Sequence, residues 1–339
     1  MRIAVDIGFG FVKAMNEKGK KVIFPSVLAK RPETSLRGIV GGAGDDYSIT
    51  YKEGNTTLNM FVGDAGITNG GNRKWEDKDQ FNIDELKIFI ATAVGLVNEN
   101  NENVDLCVGL PMSYYLLKKD ELIKILNSVS AEVTYEGIKD ARSIKFDSVF
   151  CFPQGAGAYY SAICNIDGSI KDYNLATTSV GVIDIGYRTV DFIVMGKGRK
   201  GITMLDALSG SLEEDGMIRA YQLMDRAVSE KIGREIGIIE IEKAVLWFGC
   251  KLDYRRETIN LIPYVEAAYK DIAESIAAKL KQKWGSEADL LSAILITGGG
   301  GQELFPYLKE KFISAELQEN ASFANCEGYL GAQMRKMKR

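Results

Sequence analysis

The sequence predicts an α/β protein of two related domains, and three observations predict it. Apolar runs of strand length alternate along the chain with stretches of helical period. The 339 residues, 46% hydrophobic and 26% charged, give an ordinary globular composition with room for more than one core. The pattern Asp-Ile-Gly-aromatic, with a valine three places further on, occurs at Asp6–Val12 and again at Asp184–Val190, about half the chain apart.

In chain order, Ile3–Ile7 and Phe11–Met15 flank the turn Gly8-Phe9-Gly10 and read as a hairpin, with Lys20–Val27 as a third strand. Gly38–Asp46, with four glycines and two aspartates, reads as a loop, as does Asn69-Gly70-Gly71-Asn72. From Asp84 to Val97, Leu86, Ile90, Ala93, Val94 and Val97 share one helical face. Val104–Leu110 reads as a buried strand stopped by Pro111, and Ser113 is positioned to cap the next helix. The polar stretch Asn165–Thr178 marks a domain boundary before the strand Val180–Ile185. The longest helix starts near Pro263 and runs to Trp284 before Gly285.

Composition excludes several chemistries. With no histidine, neither a Ser-His-Asp nor a Cys-His nucleophile system is possible, and no imidazole ligates zinc. The five scattered cysteines include no C-x-x-C pair, the usage of a reducing cytoplasm. A net charge of -4 argues against an extended nucleic-acid footprint. Asp6 interrupts any signal-peptide core, and no apolar run approaches the ~18–20 residues of a membrane span. The expectation is a soluble, cytoplasmic protein.

Five segments carry candidate chemistry. A glycine turn at a strand end brings backbone N–H groups close to an anion, and the preceding aspartate suits a hydrated Mg²⁺. One D-I-G is an ordinary hairpin turn; two in the same context point to a polyphosphate gripped from two sides, with Lys13 reaching the phosphates. Thr297-Gly298-Gly299-Gly300-Gly301, between the apolar run Ala293–Ile296 and a helical stretch, suits a nucleotide but is neither a Walker A loop nor G-x-G-x-x-G. Phe152–Ala158 places Gln154 at the head of a small-residue helix, where a glutamine can orient a water. Asn325–Ala332 reads as a close-packed terminal helix with a hinge role.

These segments, in this order, resemble the five motifs of the actin/Hsp70/sugar-kinase ATPase superfamily: Asp6–Lys13 and Asp184–Asp191 the phosphate motifs, Cys151–Ala158 and Asn325–Ala332 the connecting motifs, Ile294–Gly301 the adenosine motif. Size and spacing are most similar to the ParM-type actin-like proteins of plasmid segregation. The resemblance implies an actin-like, ribonuclease H-like duplicated fold, with residues 1–165 and 324–339 as domain I and 166–323 as domain II around a nucleotide cleft. Each domain would hold a five-stranded sheet, and ATP or ADP with Mg²⁺ would be the cofactor. By motif match, Asp6 and Asp184 face the Mg²⁺ through water, and Gly8, Gly10 and Gly186 offer backbone donors to phosphates beside Lys13. Gln154 positions the attacking water, and Gly298, Gly299 and Gly300 line the adenosine end. Arg188 stands where many relatives have a small residue, and either adds a phosphate contact or reaches solvent. Glu214, Lys231 and Arg234 are alternative base contacts.

The superfamily serves several functions. A chaperone's substrate domain beside the ATPase core is not expected in 339 residues. A kinase of the sugar or acetate type, the alternative reading, needs a carboxylate base where Gln154 stands. The preferred expectation is an ATP hydrolase that assembles with copies of itself into filaments and disassembles after hydrolysis. Plasmid segregation implies a DNA-binding adaptor as partner, which suits an acidic chain. The basic, Met-containing end Met334–Arg339 reads as a solvated helix terminus.

Overall fold

The computed structural model describes residues 1–32, 47–71, 83–199 and 201–337. The Gly38–Asp46 loop, Asn72 and the final Lys338-Arg339 lie outside the described residues. The chain divides into two compact units, Met1–Lys171 with Phe323–Arg339, and Asp172–Ser322.

In the first unit the elements are β1 (Arg2–Ile7), β2 (Phe11–Asn16), β3 (Lys21–Pro25), β4 (Leu28–Lys30), β5 (Tyr47–Glu53), β6 (Thr56–Val62), α1 (Asp64–Thr68), α2 (Ile83–Val97), β7 (Val104–Leu110), α3 (Met112–Asn127), β8 (Ser130–Tyr135), β9 (Arg142–Pro153) and α4 (Ala156–Ile163). The strands form one nine-stranded sheet, ordered β3-β2-β1-β7-β9-β8-β5-β6-β4. The resemblance implies five strands. The difference arises at β9, a 12-residue strand that pairs antiparallel with β8 through Arg142–Lys145 and parallel with β7 from Phe146 onward. Its first part extends the sheet toward β5, β6 and β4.

Side-chain alternation gives β1 two buried faces. Ile3, Val5 and Ile7 join the core that holds Leu86, Phe89 and Ile90 of α2. Ala4 faces the other way, into a cluster with Cys107, Phe152, Cys326, Tyr329 and Leu330. A strand covered on both sides reads as a nearly unbroken apolar run, as Ile3–Ile7 does. Pro111, with φ −50° and ψ 145°, precedes the first residue of α3, so the helix starts at Met112 and Ser113 is not its N-cap. Proline's fixed φ makes the turn out of β7 abrupt.

The second unit holds β10 (Val180–Ile185), β11 (Thr189–Gly198), β12 (Gly201–Met204), β13 (Gly210–Glu213), α5 (Met217–Ile232), α6 (Ile238–Leu246), β14 (Lys251–Tyr254), β15 (Glu257–Asn260), α7 (Ile262–Trp284), β16 (Ala293–Thr297), α8 (Gly301–Lys311) and β17 (Ala315–Leu317). Its main sheet runs β12-β11-β10-β16-β17, with β13 paired to β11 as a sixth strand, while β14 and β15 form a hairpin of their own. Ile183, Ile185, Val190, Phe192 and Val194 pack with Met217, Ile272 and Ile276 of the helices. The last helix, α9 (Ala324–Met337), belongs to the first unit. Among the described residues no helix is long and apolar enough to cross a membrane.

Candidate nucleotide site

The internal repeat is a repeat of geometry as well as of sequence. β1 pairs antiparallel with β2 so that Asp6 stands opposite Lys13, and β10 pairs with β11 so that Asp184 stands opposite Asp191. Directly opposed residues of an antiparallel pair share a face. On their other edges, Asp6 is beside Gly109 of parallel β7 and Asp184 beside Thr297 of parallel β16. Both aspartates therefore sit near the carboxyl ends of parallel strands, where ligands of α/β sheets bind.

The turns close alike. Gly8 N–H donates to Phe11 O at 3.0 Å and Gly186 N–H to Thr189 O at 2.9 Å. A Cβ on Gly8 would lie 3.0 Å from Phe11 O, and one on Gly186 2.9 Å from Thr189 O. In the structure these two amides, expected as donors to phosphates, close the turns. Gly10 is buried, and its carbonyl accepts from Ser26 N–H at 2.9 Å.

In the first unit, the structure gathers three of the sequence-predicted residues. Gln154 leaves the end of β9 with its backbone N–H donating to Leu110 O at 2.8 Å. Its side-chain Nε2 donates to Asp6 Oδ1 at 2.8 Å and, more weakly, to Ile7 O at 3.4 Å. Asp6, Lys13 and Gln154 are all buried. Asn325 of α9 fixes the next residues: its Oδ1 accepts from Gly155 N–H and Ala158 N–H, each at 3.1 Å. These bonds satisfy orphan donors at the start of α4 that a local cap would otherwise take. Cys326 donates through Sγ to Lys13 O at 3.5 Å. Complete burial, then the Asp6 charge, push that thiol well up, with Lys13 opposing, so it is neutral.

In the second unit, the glycine loop presses on the end of β10. A Cβ at Gly298, whose φ is +85°, would collide with Asp184 Oδ1 and Ile185 O. Gly298 N–H donates to Ala321 O at 3.2 Å and Gly300 N–H to Ile185 O at 2.9 Å. Gly300 also faces Met217, whose Sδ would lie 2.6 Å from an added Cβ. Gly298 and Gly300 therefore provide close approach, with their amides turned into the fold, whereas Gly299 is the exposed apex. Arg188 turns toward Glu214, with Nη2 3.9 Å from Oε1, and its side chain is only 12% exposed. Tyr187 donates through its hydroxyl to Glu242 at 3.1 Å.

Sequence reasoning assigned no role to Asp191, although the eighth place of the repeat marks it: that place holds Lys13 in one copy and Asp191 in the other. Among the described residues no three His, Cys, Asp or Glu side chains converge into a metal cage. Each unit has buried carboxylates at a strand end, Asp6 in the first and Asp184 with Asp191 in the second. A carboxylate so placed suits Mg²⁺, which keeps several waters and binds through one or two carboxylates together with phosphate oxygens.

A duplicated strand-turn-strand with an aspartate at each strand end, joined to a glycine loop packed on the second copy, defines an actin-like nucleotide fold. The comparisons agree. The family described as "Actin like proteins N terminal domain" matches residues 4–157, and "Archaeal actin homologue MreB-like, C-terminal" matches 182–310. Both family models are of actin-like proteins, and together they match most of the chain. It is 26% identical to an archaeal actin homologue of Thermoplasma acidophilum, over 99% of both chains. It is similar to the subunit of a 15-stranded ParM filament from Clostridium botulinum, with a TM-score of 0.83 and 27% identity over 98% of this chain and 99% of that one. An archaeal actin homologue solved in complex with ADP shares the fold, with a TM-score of 0.74 and 20% identity over 99% of each chain.

Proposed function

We propose that the chain is an ATP hydrolase that polymerises on binding ATP and disassembles after hydrolysis, and that it moves or segregates plasmid DNA through a DNA-binding adaptor. The observation that carries this reading is the matched pair of turns, with the same register around Asp6 and Asp184 and the same turn-closing hydrogen bond. The ParM filament similar to this chain supports self-assembly, and the ADP complex supports an adenine nucleotide as ligand. Domain I would span 1–165 and 324–339, and domain II 166–323, in a cytoplasmic protein.

Asp6 and Asp184 would hold Mg²⁺ through water, and the ion would supply charge neutralisation at the phosphates. Lys13 would add a point charge on the Asp6 face, and Arg188, on leaving Glu214, a second cation. Gln154 is held by its amide nitrogen, which leaves Oε1 to accept a hydrogen bond from a water and orient it for attack. Gly298, Gly299 and Gly300 would admit the adenosine without side-chain obstruction.

Calorimetric titration with ATP tests the reading. Binding should require Mg²⁺ for full strength, and Asp184→Ala should remove most of that dependence. Equal ATP affinity with and without Mg²⁺ in the parent protein would overturn the Mg²⁺ assignment, and absence of ATP binding would overturn the whole reading.

A further inference from the structure

Ser26 lies directly after β3, only 1% exposed, and no motif of the sequence points to it. Its hydroxyl donates to Gly8 O at 2.6 Å and its backbone N–H donates to Gly10 O at 2.9 Å. One residue thus takes two carbonyls of the first D-I-G turn. In the second unit the same task falls to a helix entry. Gly216 N–H donates to Arg188 O at 3.0 Å, Met217 N–H to Gly186 O at 3.1 Å and Ile218 N–H to Tyr187 O at 2.7 Å. Both turns have their carbonyls drawn to one side, by unrelated pieces of chain.

A peptide unit is planar and trans, so fixing a carbonyl oxygen directs the N–H of the following residue the opposite way. Anchoring Gly8 O and Gly10 O therefore sets the directions of the Phe9 and Phe11 amides. An anion approaching the turn would meet carbonyl oxygens and be repelled if those peptides rotated. Glycines at 8 and 10 make such rotation easy, because they lack the Cβ that restricts φ and ψ. The second turn has a whole helix to hold it, while the first relies on Ser26.

We propose that Ser26 is a positioning residue for phosphate binding: it holds the Gly8–Gly10 turn with its amide side toward the nucleotide. The inference rests on the reading of this turn as a phosphate site. Replacing the hydroxyl removes the bond to Gly8 O and keeps the backbone bond to Gly10 O, so the turn becomes looser without being dismantled.

The test is calorimetric ATP titration, in Mg²⁺, of the parent protein, Ser26→Ala and Ser26→Cys, with thermal melting measured alongside. Ser26→Ala should weaken ATP binding about tenfold, equivalent to about 1.4 kcal/mol. Ser26→Cys, of similar size but with a weak donor, should fall between it and the parent. If either folded variant binds ATP as the parent does while melting earlier, Ser26 serves stability alone and the inference is overturned. If the parent itself binds no ATP, the phosphate reading of the turn fails, and this inference with it.

Discussion

Gln154 Nε2 donates to Asp6 Oδ1 at 2.8 Å, joining the end of β9 to the end of β1 across β7. The bond makes the glutamine part of the first hairpin's surroundings instead of a loop residue at large. It also holds the amide nitrogen against the carboxylate, so that Oε1 is the end of the side chain to which the proposed function gives a water.

Binding and hydrolysis should therefore separate at this position. Gln154→Ala removes no phosphate contact, so ATP should still bind and assembly should still occur. Phosphate release should fall at least about tenfold, a barrier rise of ~1.4 kcal/mol. Parallel traces of light scattering and phosphate release measure both, and hydrolysis at the parent rate would remove Gln154 from the catalytic assignment.

Two glycines with positive φ make a controlled pair for stability. Gly298 has φ +85° and no space for a Cβ beside Asp184 and Ile185, whereas Gly285 has φ +54° with nothing within 4 Å of an added Cβ. Gly285→Ala should cost about 1 kcal/mol from backbone strain alone. Gly298→Ala should cost about 2–4 kcal/mol because strain and collision add, and it should also weaken ATP binding. Urea unfolding of both variants, with unchanged m-values, reads the difference.

Reactivity of the thiols should follow burial. Burial pushes Cys151 up to about 12 and raises Cys107, Cys164 and Cys326, which are all buried. Cys250 is also raised by burial but is partly exposed. Since the thiolate is the reactive form, at most Cys250 should react with Ellman's reagent in the native protein near pH 8. All five should react in denaturant. Rapid modification of Cys107 or Cys326 in the native state would contradict the packing of α9 on the sheet.

The hairpins were legible because a D-I-G turn between apolar runs is a local signal, and its recurrence doubles that signal. α7 was legible from Pro263 and Gly285 at its ends. By contrast β5 and β6 carry Thr50, Lys52, Thr56 and Thr57 in half-exposed strands, so neither period nor apolar continuity marks them. With β8 and β4 they are what enlarges the first sheet beyond five strands. At the site, Asp6, Lys13 and Gln154 were legible from motif order. Ser26 and Asn325 act through hydrogen bonds to backbone atoms far along the chain, at Gly8 and at Gly155, and no residue spacing encodes those. The inward amides of Gly298 and Gly300 are likewise a product of packing on Ile185 and Met217, invisible in a run of four glycines.

On the proposed function, ATP drives this chain to assemble. Pelleting and light scattering over a series of protein concentrations, with ATP and Mg²⁺ and without nucleotide, test it most directly. The account predicts a critical concentration above which polymer appears with ATP, little polymer without nucleotide, and disassembly as phosphate is released. A protein that binds ATP but stays monomeric at tens of μM, while transferring phosphate to a sugar or acetate, would contradict it.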